Sequence, residues 1–108
     1  MSGLVLLVTT IDGEDKAREL ARAALSAKLA ACIQISAAQS LYVWKDELRE
    51  EPEFLLQMKA RADDYGALAT LVRRLHSYET PEILRIDIAE ADSDYLAWAL
   101  AATRRESA

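Results

Sequence analysis

Three stretches decide the fold: Cys32-Ile33-Gln34-Ile35, Leu41-Tyr42-Val43-Trp44 and Phe54-Leu55-Leu56-Gln57-Met58-Lys59-Ala60-Arg61. Successive side chains of a strand point to opposite faces, so Phe54, Leu56, Met58 and Ala60 share one face while Leu55, Gln57, Lys59 and Arg61 take the other. The first two stretches alternate in the same way and read as one long strand, bent or bulged across Ser36 to Ser40. Lys45 to Pro52 is polar and charged and reads as the connection, which makes the two strands a hairpin.

On the N-terminal side, Leu4-Val5-Leu6-Leu7-Val8 is an unbroken apolar run, as expected of a strand covered on both faces at the centre of a sheet. A helix follows, with Asp12 as N-cap, Glu14 and Asp15 at its positive end, and Ala17, Leu20, Ala21, Ala24 and Leu25 on one face, running to about Leu29. On the C-terminal side, Asp63 and Asp64 open a second helix carrying Leu68, Leu71, Val72 and Leu75 at helical spacing. His76 to Pro81 is a turn, and Leu84, Ile86 and Ile88 form a fourth strand. Asp92 or Ser93 caps a last helix bearing Tyr95, Trp98, Ala99 and Ala102 on one side.

The order βαββαβ predicts an α+β, ferredoxin-like sandwich: an antiparallel sheet, a long bent hairpin, two helices on one face and an extra C-terminal helix. One domain over residues 1–108 is expected from the length. Helices on one face leave the other face of the sheet uncovered. Tyr42, Trp44, Leu41 and Val43 put apolar side chains on both sides of the hairpin, so self-association through the open face or the hairpin is inferred.

The charge is −5 and the sequence pI about 4.8, and the only basic clusters are Arg73-Arg74 and Arg104-Arg105, which argues against nucleic-acid binding. No apolar run reaches the ~20 residues of a membrane span, and the opening Met1-Ser2-Gly3-Leu4 has no basic leader, so no membrane association and a cytoplasmic location are expected. A single Cys32 and a single His76 cannot build a four-ligand zinc site in one chain, and any soft-metal site must borrow ligands from another subunit. Gly3, Gly13 and Gly66 stand too far apart for a phosphate loop, and nothing local supports a nucleophile with His76 as base, so no enzymatic activity is expected.

The densest polar cluster is His76-Ser77-Tyr78-Glu79-Thr80-Pro81-Glu82, an imidazole, a phenol and two carboxylates in seven residues, suited to a cation or a small ligand. Its purely structural reading is His76 at a helix C-terminus, Tyr78 packed and Pro81 fixing the strand start. Lys59 either snorkels to solvent or pairs with a carboxylate such as Glu82. Cys32 reads as an inert buried thiol, and Glu47, Glu50, Glu51 and Glu53 as a solvated charge run.

Several strings, in order, carry a resemblance: Val8-Thr9-Thr10; Lys28-Leu29-Ala30-Ala31-Cys32-Ile33; Ser40-Leu41-Tyr42-Val43-Trp44; Met58-Lys59-Ala60; His76 to Ile83; and Tyr95-Leu96-Ala97-Trp98. Together they resemble the CutA divalent-cation tolerance family over roughly residues 4 to 100. The resemblance implies a PII-like, ferredoxin-like subunit, a homotrimer built by strand pairing, and a role in tolerance to divalent metals, copper especially. It places His76 as the metal residue and Lys59, Tyr78, Glu82, Trp44 and Tyr42 near a cleft between subunits. Some members carry cysteine where Val8 stands and histidine where Leu75 stands, and usually proline where Ser77 stands. That difference sustains an alternative: a trimeric regulatory or scaffold protein holding a small anionic ligand on Lys59 and His76 at the subunit interface.

Overall fold

The computed structural model describes residues 1–105. The elements are β1 (Leu4–Ile11), α1 (Glu14–Ser26), β2 (Cys32–Trp44), β3 (Glu47–Arg61), a 3-10 turn (Ala62–Asp64), α2 (Tyr65–Leu75), β4 (Leu84–Asp87) and α3 (Ser93–Ala102). The sheet order is β2-β3-β1-β4 and every neighbouring pair is antiparallel. This is the expected α+β ferredoxin-like arrangement, with both helical crossovers on one face.

The apolar alternation builds the core. Val5, Leu7 and Ile11 of β1 and Leu56, Met58 and Ala60 of β3 face Ala17, Leu20, Ala21 and Ala24 of α1 and Leu68 and Val72 of α2, all buried. Small alanines let α1 lie close on the sheet, whereas Leu25 and Leu75, assigned to the same helical faces by spacing, stand exposed at the last turns. Asp92 caps α3 as expected, its carboxylate accepting from the backbone N–H groups of Asp94 and Tyr95.

The hairpin departs from expectation in two ways. Its register runs without interruption from Cys32↔Lys59 to Trp44↔Glu47, so no bulge interrupts Ser36 to Ser40. The connection is only Lys45-Asp46, both at positive φ (51° and 65°), as a tight two-residue hairpin turn demands. The charged run 47–52 is therefore strand rather than loop, and it projects beyond the core, where solvent on both sides removes any pressure for apolar alternation.

Helix α1 also stops early and starts differently. Its C-terminus closes at Ser26 with Lys28 at φ 58°, Leu29 N–H donating to Ala24 O and Lys28 N–H to Leu25 O. This is the left-handed close usually marked by glycine. Asp12 makes no cap; Gly13 holds that position and Asp12 instead pairs with Lys16 at 3.0 Å.

Helix α3 lies across the open face at one end. Arg61, pointing away from α1 and α2, donates to Thr103 Oγ1 at 2.9 Å and to the Leu100 carbonyl, while Tyr95 and Trp98 remain 37% and 50% exposed. On β4, Leu84 and Ile86, partners of Val8 and Leu6, are 51% and 49% exposed.

Candidate functional site

Strand parity fixes which side chains meet on the open face. With the turn at Lys45-Asp46, Tyr42 pairs with Arg49, Ser40 with Glu51 and Ala38 with Glu53, all on the face that also carries Lys59. Thr10 and Asp12 reach this face from the end of β1, and the segment between α2 and β4 folds over it. The result is a groove of about 750 Å³, with Trp44, Tyr42, Arg49, Glu51 and Glu53 from the hairpin on one side. Tyr78, Glu79, Thr80 and Glu82 line the other.

His76 anchors that second wall. Its Nε2 lies 2.8 Å from the Thr10 carbonyl oxygen and its Nδ1 accepts the Tyr78 backbone N–H at 3.1 Å. The neutral ring with its proton on Nε2 satisfies both contacts at once. Ligating a metal through either nitrogen requires breaking one of them. Its ring also packs against Tyr78, with centroids 4.8 Å apart.

Tyr78 in turn donates to Glu53 Oε2 at 2.5 Å. Burial, then the hydrogen bond and the negative charge of Glu53, push its phenol well above the usual tyrosine range, so it stays protonated and acts as a donor. On the opposite wall the Tyr42 hydroxyl donates to Glu51, and that bond, ahead of desolvation, raises the Tyr42 phenol as well. Glu53 is only 6% exposed. Reading it as part of a solvated run is thus corrected: Tyr78 and its segment close over it, which sequence separation conceals.

Four of the expected site residues, Trp44, Tyr42, Tyr78 and Glu82, do line one groove, with His76 behind it. Lys59 does not. It lies six residues along β3 from Glu53, about 20 Å at ~3.4 Å per residue, where its Nζ donates to Gln34 Oε1 at 2.9 Å and sits 5.8 Å from the Tyr95 ring centroid. Within one chain, therefore, Lys59 pairs with no Glu82, and Lys59 and His76 share no anion site. The groove itself is acidic: Asp12, Glu51, Glu53, Glu79 and Glu82 face one cation, Arg49. Glu79 was read as one of the two carboxylates of the His76-to-Glu82 cluster, whereas Asp12, Glu51 and Glu53 were not singled out as site residues; counting parity from a two-residue turn is the signal that finds Glu51 and Glu53.

The donor set does not fit a copper site within one chain. Among the described residues no three of His, Cys, Asp and Glu gather as metal ligands, and Cys32 lies beside Lys59, at the far end of the sheet from His76. Soft-metal binding needs convergent nitrogen and sulfur ligands.

The chain matches the family described as CutA1 divalent ion tolerance protein over residues 5–102. It is 38% identical over 98 residues to the divalent-cation tolerance protein CutA of Yersinia pestis, covering 90% of this chain and 82% of that one. Its fold is similar to CutA from Synechococcus elongatus, with a TM-score of 0.93, 32% identity, and 96% and 93% of the two chains covered. It is also similar to a protein of Archaeoglobus fulgidus described as a periplasmic divalent cation tolerance protein CutA, with a TM-score of 0.91, 27% identity, and 94% and 99% covered.

Proposed function

The chain belongs to the CutA1 divalent ion tolerance family, and from that premise we propose that it is a non-enzymatic, single-domain protein that works as a homotrimer in the cellular response to divalent cations. The observation that carries the assembly is the open side of the sheet, where Leu84 and Ile86 of β4 and Tyr95 and Trp98 of α3 stay 37–51% exposed, with β2 and β4 as the edge strands. Apolar strands left in this state by a lone chain call for a partner, and closed symmetry among identical copies supplies one. The apolar hairpin residues Leu41, Val43 and Leu48, at 63%, 71% and 69% exposure, extend the same demand.

Because one chain's donors do not converge, a copper or other divalent-cation site has to be shared between copies. His76 serves in this reading as a positioning residue that fixes the Tyr78 wall. A cytoplasmic location belongs to the same reading. Fractionation of the native host decides between that and the periplasm, the location in the description of the Archaeoglobus protein.

A second reading is favoured by the commitment of both His76 nitrogens and by the size of the groove: a trimeric regulatory or scaffold protein of PII-like fold that binds a small molecule, with metal incidental. Native mass spectrometry of the metal-stripped protein, titrated with Cu(II) and Zn(II), tests both. A trimer taking up copper in a fixed ratio to chains supports the first reading. A trimer taking up none supports the second, and a monomer at micromolar concentration removes both.

A further inference from the structure

We draw no further inference here: the strongest candidate, the apolar strip on the helix-side face of the β2–β3 hairpin, running from the cavity of about 370 Å³ beside α1 at Ile33, Ile35 and Phe54 out to the exposed Leu41, Val43 and Leu48, carries nothing because nothing in the structure shows what covers it.

Discussion

The Tyr78 hydroxyl and the Glu53 carboxylate, twenty-five positions apart in sequence, meet at 2.5 Å and close the base of the acidic groove. The wall formed by the Tyr78 segment hangs on two contacts, this pair and the His76 ring on the Thr10 carbonyl. Removing the phenol leaves a buried carboxylate with no donor among the described residues. Tyr78→Phe should therefore lower stability by about 1–3 kcal/mol, measured by urea unfolding at fixed protomer concentration, and Glu53→Gln combined with Tyr78→Phe should cost less than the sum of the two single changes.

The same pair predicts a pH dependence. Tyr78 is raised above its ordinary value of 10.0, chiefly by burial and then by Glu53. Below pH 10 the phenol is protonated in folded and unfolded chains alike, and its contribution is complete. Above it, the unfolded chain loses the proton while the folded one keeps it, so stability falls as pH rises. The gap between wild type and Tyr78→Phe should therefore narrow from about pH 8 to about pH 11; an equal gap at both would count against the assignment. Tyr42 is present in both proteins, so its own raised value cancels in the comparison.

Most of the fold was legible because burial imposes period. The β1 run, the α1 and α2 faces and the Phe54–Ala60 alternation all describe residues pressed against a core, and the Asp92 cap is a local chemical signal. Where burial ends, legibility ends with it. Residues 47–52 are strand held by pairing alone, Lys28 takes a left-handed conformation without the glycine that would announce it, and Asp12 spends its carboxylate on Lys16. The site was half legible for the same reason. The aromatic and His76-to-Glu82 residues were visible as composition, but Glu53 is buried only by a segment distant in sequence. Lys59 shares its face and not its position.

Lys28 offers a direct check on that account. A β-carbon in the left-handed region costs about 1–2 kcal/mol, part of which glycine returns as unfolded-state entropy. Lys28→Gly should thus raise stability by roughly 0.5–1 kcal/mol, seen as a higher melting temperature. The Lys28 carbonyl that accepts from Arg105 at 2.8 Å remains in place.

Arg105 forks onto Asp64 at 2.7 and 2.9 Å, tying the end of the described chain to the start of α2. Asp64 is mostly buried while the guanidinium is 40% exposed, so solvent screens part of the attraction. Arg105→Lys keeps the charge and loses the two-pronged geometry, and should cost on the order of 0.5–1 kcal/mol. Added salt should erode the difference between the two proteins. A loss above that range would mean that the tail contributes packing beyond the ion pair.

The assembly prediction turns on Ile86. It pairs with Leu6 on the open face, is half exposed, and is not part of the helix-facing core. A charge placed there costs little in an isolated subunit, since water reaches it. In a trimer the same charge is buried without a partner, at a cost of several kcal/mol per ion. Ile86→Glu should therefore shift sedimentation from trimer to monomer while the far-ultraviolet circular dichroism of the sheet and helices persists. Trp98→Glu, reached from α3, should do the same. If both variants sediment as the wild type does, the apolar face is not the subunit interface. Assembly would then have to run through the hairpin residues Leu41, Val43 and Leu48 alone.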